Sequence, residues 1–237
     1  VWKAGARSAF HEPSGTEIPL IWDPVYQRHA FNFLRHVQEK YGDNPHILFL
    51  DVTPGAETNP YRFGTIDRRN PEFRETFLQV VASDGKPYSD KLWINTLQDW
   101  ITEMPKVVTS IPLLVTLNVA GLGTNASDRL TEVGAFCVEH GYLVGQNGLG
   151  KHSYLTESKR KQAFLSWSEK TPLFFEMVAR SGRRTGTLME VMQAAERIHC
   201  SLLNVYPEDV LKGTPGNKDY DPAFEAALRY GANALSR

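Results

Sequence analysis

Four apolar runs recur through the second half of the chain at a spacing of about 30 residues. They begin near Pro112 (PLLVTLNVAG), Tyr142 (YLVGQNG), Pro172 (PLFFEMV) and Cys200 (CSLLNVY). A strand with its following helix occupies about that length, so each run predicts the strand of one βα unit. Because strands buried on both faces are apolar throughout, the continuous runs predict a parallel sheet.

Amphipathic segments between these runs predict helices, and the first half of the chain follows the same scheme. Asp23-Pro24 is a helix cap followed by proline at the first helical position, and this helix is predicted to end at Gly42. A strand is predicted over 47–53. The remaining predicted helices cover 71–81, 89–104, 128–140 and 187–199.

The strand count bears on the architecture. Five strands are predicted with a possible sixth at 1–4, whereas a (β/α)8 barrel needs eight. A (β/α)8 TIM barrel would therefore lack its first βα units in this chain, while an open doubly wound sheet would need no missing strand. We expect one domain over 1–237, since no linker or internal repeat interrupts the chain.

Composition excludes several classes of protein. The 26 basic and 27 acidic residues nearly balance, which does not favour nucleic acid or an anionic membrane as partner. No apolar stretch approaches the roughly 20 residues that a membrane span requires. Two cysteines, Cys137 and Cys200, do not make a disulfide framework. The chain begins at Val1 without Met or a signal sequence, as a mature, trimmed or fragmentary form would, so neither compartment nor oligomeric state is predicted.

Two glutamates are the candidate catalytic residues. Glu57 follows the run ILFLDV, and Glu176 lies within PLFFEMV, both near the carboxyl ends of predicted strands. Parallel α/β barrels carry their chemistry at those ends, and glycoside hydrolysis needs two carboxyl groups flanking the scissile bond. The alternatives are a solvated loop carboxylate for Glu57 and a buried ion pair for Glu176, with Arg180 or Lys151 as its partner.

The order WDPVYQRHAFNFLRHVQEKYGDNPHILFLDVTPGAETN, PLLVTLNVAG, YLVGQNG, PLFFEMV and CSLLNVY resembles strands three or four to eight of the retaining glycoside hydrolases with a (β/α)8 barrel. The likeness is close to the family-42-type β-galactosidases and to related uncharacterised barrels. The resemblance implies that Glu57 is the acid/base after strand four and Glu176 the nucleophile on strand seven. That family usually has Asn before the acid/base, where this chain has Ala56. A barrel that binds carbohydrate without cleaving it therefore stays an alternative.

Polar and aromatic residues near the predicted strand ends are candidates for binding a carbohydrate substrate. Amide and hydroxyl groups suit sugar hydroxyls because both donate and accept hydrogen bonds, although the same residue types also serve turns. Trp22 and Trp167 are candidate stacking platforms, and Trp22 is equally well interpreted as a hydrophobic staple ahead of Asp23. The polar candidates are His11, Asn59, Asn118, Gln146, Asn147, His152, Asn204 and Tyr206.

The segment ARSGRRTGT (179–187) suggests a rival site. Arg180, Arg183 and Arg184 would bind the phosphate of a metabolite in a phosphate-handling α/β enzyme. The alternative is a flexible solvated loop. No Walker, dinucleotide or serine-hydrolase motif is present, and the seven histidines lack metal-ligand spacing. We therefore expect no cofactor and no metal.

Overall fold

The protein consists of two compact units, Val1–His140 and Gly141–Arg237. The prediction of one domain over 1–237 is not tested by this division and stays a prediction. A computed structural model describes residues 2–11, 15–55, 57–58, 75, 77–117 and 126–236.

The first unit combines an antiparallel hairpin with a parallel strand pair and three long helices. Its described elements are a 3₁₀ helix (Trp2–Ala4), β1 (Ser8–His11), β2 (Thr16–Pro19), α1 (Pro24–Tyr41), β3 (Leu50–Asp51), α2 (Asp90–Val107), β4 (Leu113–Thr116) and α3 (Ala126–Glu139). Strands β1 and β2 pair antiparallel, with Ala9 opposite Ile18 on the buried face. The strand predicted at 1–4 is wrong, because Trp2–Ala4 coil into a 3₁₀ helix before Gly5, whose φ is 92°.

The capped helix predicted after Asp23 is confirmed. The Asp23 Oδ1 atom accepts the backbone N–H groups of Val25 at 2.9 Å and Tyr26 at 3.1 Å. Its Oδ2 atom accepts the N–H of Ser83 at 2.6 Å and that of Arg7 at 3.3 Å. Burial alone would raise the pKa of Asp23, but these hydrogen bonds together lower it below its ordinary value. One carboxylate thus ties the start of α1 to two other segments.

The core of the first unit lies against α2, which confirms the helix predicted over 89–104. Trp93, Leu97, Trp100 and Ile101 form its buried stripe. Strands β3 and β4 pair parallel, with Leu50 beside Leu113, which confirms the strands predicted there. The helices predicted at 128–140 and 187–199 are also confirmed. Of the helix predicted over 71–81, residues 71–74 and 76 lie outside the described residues, and residues 75 and 77–79 are helical.

The second unit is a three-stranded parallel sheet with helices. Its elements are β5 (Leu143–Leu149), α4 (Lys159–Ser168), β6 (Leu173–Met177), α5 (Leu188–Arg197), β7 (Leu202–Asn204), α6 (Pro207–Lys212) and α7 (Pro222–Ala234). Strand β6 pairs parallel with both β5 and β7. The rings of Phe164 on α4 and Phe175 on β6 lie 5.2 Å apart by centroid in the core. These pairings confirm the predicted parallel arrangement.

The (β/α)8 barrel prediction is wrong for the described residues. They contain seven strands, of which two are the antiparallel hairpin β1–β2 and five are parallel, two in the first unit and three in the second. A closed barrel of this class needs eight parallel strands. The described residues before β3 form an antiparallel hairpin and helix α1, and they add no strand to the parallel sheet. The described residues therefore form an α/β fold with five parallel strands.

Within the described part of the chain, we find no helix that combines the length and the apolar character that crossing a membrane demands.

Candidate functional site

Three polar residues form a row across the carboxyl ends of β5, β6 and β7. Asn147 on β5 is in register with Glu176 on β6, and Glu176 is in register with Asn204 on β7. Residues in register on neighbouring parallel strands project from the same face of a sheet. We call Asn147, Glu176 and Asn204 the strand-end row. It flanks one carboxyl group with two amides.

The strand-end row projects from the face opposite the aromatic core. The preceding residues, Gln146 and Phe175, alternate onto the other face, where Phe175 packs on Tyr154 at a centroid distance of 5.8 Å. Asn147 and Glu176 are half-buried and Asn204 is exposed. The row is therefore partly accessible, while the alternate residues hold the sheet to the helices.

The Asn147 side chain has an unsatisfied polar atom. Its Oδ1 is buried and accepts no hydrogen bond from the residues that the structure describes. Because a buried acceptor without a donor is costly, such an atom in a cleft is suited to a hydroxyl donor on a ligand. Gly148, the next residue, has a φ of 95° and produces the irregularity in the β5–β6 register. This bulge ends the regular strand directly after Asn147.

A buried tyrosine supports this end of the sheet, and the sequence did not predict it. The Tyr154 hydroxyl donates to Gln146 Oε1 at 2.5 Å. Arg160 lies over the Tyr154 ring, 5.3 Å from its centroid. Burial raises the pKa of Tyr154, an effect that the Arg160 charge opposes. Together with Asn147, these residues line a cavity of about 130 Å³.

Glu57, in the first unit, lies on a backbone of uncommon conformation. Glu57 and Thr58 both have positive φ, at 55° and 64°, which costs of order 1–3 kcal/mol for such residues unless the surroundings hold them. The Trp93 Nε1–H donates to the Thr58 carbonyl at 3.0 Å. Trp100 Nε1–H likewise donates to the Val52 carbonyl at 2.8 Å, just before the loop. Two tryptophans of α2 therefore hold the segment that presents the half-buried Glu57.

Both predicted stacking tryptophans are core residues. Trp22 is 4% exposed and packs edge-on against Phe77 and Tyr88, at centroid distances of 5.6 and 5.3 Å. Trp167 is 5% exposed and packs on Phe164 at 5.1 Å. Stacking needs an open ring face, so we leave both rings out of the site proposed below.

The remaining predicted binding residues are dispersed. His152 is exposed in the loop after β5, and Tyr206 is half-buried directly before α6. His11 is the last residue of β1, where only its backbone is described. Asn59 and Asn118 lie outside the described residues. Glu57 and Glu176 belong to different units, so their predicted action as a pair stays a prediction.

The arginine segment 179–187 forms a tight turn. Gly182 and Gly186 exchange backbone hydrogen bonds at 2.9 and 2.7 Å. The buried Asp209 accepts both the N–H and the hydroxyl of Ser181, at 2.7 and 2.9 Å. At its tip, Arg183 and Arg184 line two different clefts. The turn therefore separates these two arginines instead of bringing them together on one ligand.

Comparisons with family models, with curated proteins and with solved structures found no match to this chain. Among the described residues, no group of three or more His, Cys, Asp or Glu side chains is arranged to hold a metal ion.

Proposed function

We propose that the protein is a glycoside hydrolase in which Glu176 is the nucleophile of a retaining reaction. The strand-end row carries this proposal, because it places the Glu176 carboxyl group between Asn147 and Asn204 at the ends of adjacent parallel strands. A sugar presents many hydroxyls that both donate and accept, and flanking amides match them. The partial exposure of the row leaves it within reach of a ligand.

In the first step, a Glu176 oxygen attacks the anomeric carbon while the bond from that carbon to the leaving oxygen breaks. The leaving oxygen takes a proton from a general acid. Water then attacks the anomeric carbon of the glycosyl ester, giving its proton to the same residue and releasing the Glu176 carboxylate. Asn147 and Asn204 would hold the hydroxyls of the sugar ring, which fixes the anomeric carbon in front of the nucleophile.

The test is hydrolysis of a panel of aryl glycosides by the protein and its Glu176→Gln variant. The substitution keeps the shape of the side chain and removes the nucleophile, so we expect activity to fall to the uncatalysed level. Glu208→Gln is the matched control, because Glu208 is an exposed residue in the first turn of α6. Unchanged turnover in Glu176→Gln would overturn the proposal.

Rescue by azide distinguishes a nucleophilic carboxylate from a residue that only stabilises the fold. In Glu176→Gly, azide can enter the space of the lost carboxylate and attack the anomeric carbon directly. A single displacement gives a glycosyl azide of inverted configuration, so we expect azide to restore release of an activated phenol. The predicted acid/base role of Glu57 is tested with Glu57→Gln, which keeps the Glu176 nucleophile. We expect this variant to lose at least about 100-fold in rate on substrates with a poor leaving group. Glycan binding without turnover in the unsubstituted protein would favour the non-catalytic alternative.

A further inference from the structure

A second cleft in the Gly141–Arg237 unit is strongly basic. It has a volume of about 470 Å³ and lies between the loop after β5, the start of α4 and the arginine turn. Its lining includes no acidic residue among those described. We call it the basic cleft, and its basic side chains are Lys151, His152, Arg160 and Arg184.

The walls of the basic cleft are fixed by hydrogen bonds. The Lys151 N–H donates to the Thr185 carbonyl at 2.8 Å, which joins the loop after β5 to the arginine turn. An Arg197 Nη1–H from α5 donates to the Ser153 carbonyl at 2.8 Å. Gly150 and Ser153 close the same loop with two further hydrogen bonds of 2.9 and 3.0 Å. These hydrogen bonds fix the backbone from which the Lys151 and Arg184 side chains project.

The cations of the basic cleft are only partly compensated. Hydrogen bonds from Thr187, with smaller contributions from the charges of Lys151 and His152, lower the pKa of Glu190. Glu190 therefore offsets some of the Lys151 charge. Among the described residues, neither Arg160 nor Arg184 forms an ion pair, and Arg160 has only the Tyr154 ring as a partner. Two guanidinium groups without carboxylates thus face one cleft.

We propose that the basic cleft binds an oxyanion group carried by the ligand of the strand-end row, so that the substrate is an anionic carbohydrate. Guanidinium groups match the paired oxygens of sulfate, phosphate and carboxylate. The cleft shares Gly148, Ser153, Tyr154 and Arg160 with the small cavity beside Gln146 and Asn147. Asn147 belongs to the row and also lines this small cavity, so a sugar held at the Asn147 amide would reach the cleft around the carboxyl end of β5. This substrate class rests on the proposed function, whereas the anion site itself does not.

The anion site is tested by calorimetric titration of the full chain with inorganic sulfate and with inorganic phosphate, at ionic strength held constant with chloride. We expect saturable binding that Arg184→Gln and Arg160→Gln each weaken about tenfold. Arg229→Gln is the matched control, because Arg229 is an exposed arginine of the same unit that pairs with Glu225 outside the cleft. Thermal unfolding of each variant confirms that it is folded.

Two results would overturn the anion site. One is the absence of saturable binding of either anion. The other is a loss of anion affinity in Arg229→Gln as large as that in Arg184→Gln and Arg160→Gln, because such a loss would reflect net charge alone.

The substrate class is tested with aryl glycosides that carry a sulfate ester, a phosphate ester or a uronate carboxylate, each beside its neutral parent. The substitution Arg184→Gln should raise the KM of one anionic substrate. We expect this increase to be about tenfold greater than the increase in the KM of its neutral parent. An equal change for neutral and anionic members of every pair would overturn this assignment. Anion binding without hydrolysis of any glycoside would retain the site and refute the proposed function. Hydrolysis of neutral glycosides without anion binding would refute this inference alone.

Discussion

The hydrogen bond between Tyr154 and Gln146 supports the strand ends, and Tyr154→Phe removes it with little change of shape. Tyr154 is 8% exposed and Gln146 is 9% exposed, and their oxygens are 2.5 Å apart. Without the hydroxyl, the Gln146 carbonyl stays buried with one donor fewer, which costs about 1–3 kcal/mol. With an m-value of about 2 kcal/mol/M, the urea midpoint should fall by about 0.5–1.5 M.

The assay is urea unfolding followed by tryptophan fluorescence and by far-ultraviolet circular dichroism, with the m-value required to stay unchanged. Tyr206→Phe is the matched control, because the half-buried Tyr206 makes no side-chain hydrogen bond to the described residues. The double variant Gln146→Leu, Tyr154→Phe removes both partners, so it should be less destabilised than the sum of the single variants. An unchanged midpoint in Tyr154→Phe, or strictly additive losses, would show that the hydrogen bond between Tyr154 and Gln146 does not stabilise the protein.

Two further substitutions test the fold around the sites. Asp23→Asn should lower the free energy of unfolding by about 1–2 kcal/mol at pH 7. Because the folded-state pKa of Asp23 lies below its ordinary 3.8, the stabilisation is present above that value and is lost as the pH falls through the folded pKa, so urea midpoints of the two proteins should converge in acid. Gly186→Ala should destabilise more than Gly216→Ala in the same assay. Both glycines have positive φ, at 102° and 88°, but a Cβ would lie 2.6 Å from Lys151 Cβ at Gly186 and would contact nothing within 4 Å at Gly216.

The five parallel strands could be predicted because each is a continuous apolar run, and α1 because Asp23-Pro24 marks its start. The hairpin β1–β2 was missed since each strand has only four residues, too few for a clear alternation. The barrel prediction failed because it relied on a resemblance for the number of strands, which short motifs do not determine.

The candidate site was predictable residue by residue and not as an arrangement. Asn147, Glu176 and Asn204 were each identified by their position at a strand end. Their alignment depends on the register of three strands separated by helices, and local sequence does not encode that register. Tyr154 lies in the loop after β5, where the sequence has no periodicity, and Arg160 lies in the first turn of α4. Only the folded structure of the loop and of the start of α4 brings them beside Gln146 and the basic cleft.

The proposed mechanism requires that Glu176 form a covalent bond to a sugar. A 2-deoxy-2-fluoro glycoside with an activated leaving group tests it, because the fluorine slows both steps and the leaving group speeds the first, so the glycosyl ester accumulates. With the sugar of the best aryl substrate, intact-mass and peptide mass spectrometry should find one glycosyl group per chain, on the peptide that contains Glu176. A label on another carboxylate, or hydrolysis with inversion and no label, would contradict the assignment of Glu176 as the nucleophile.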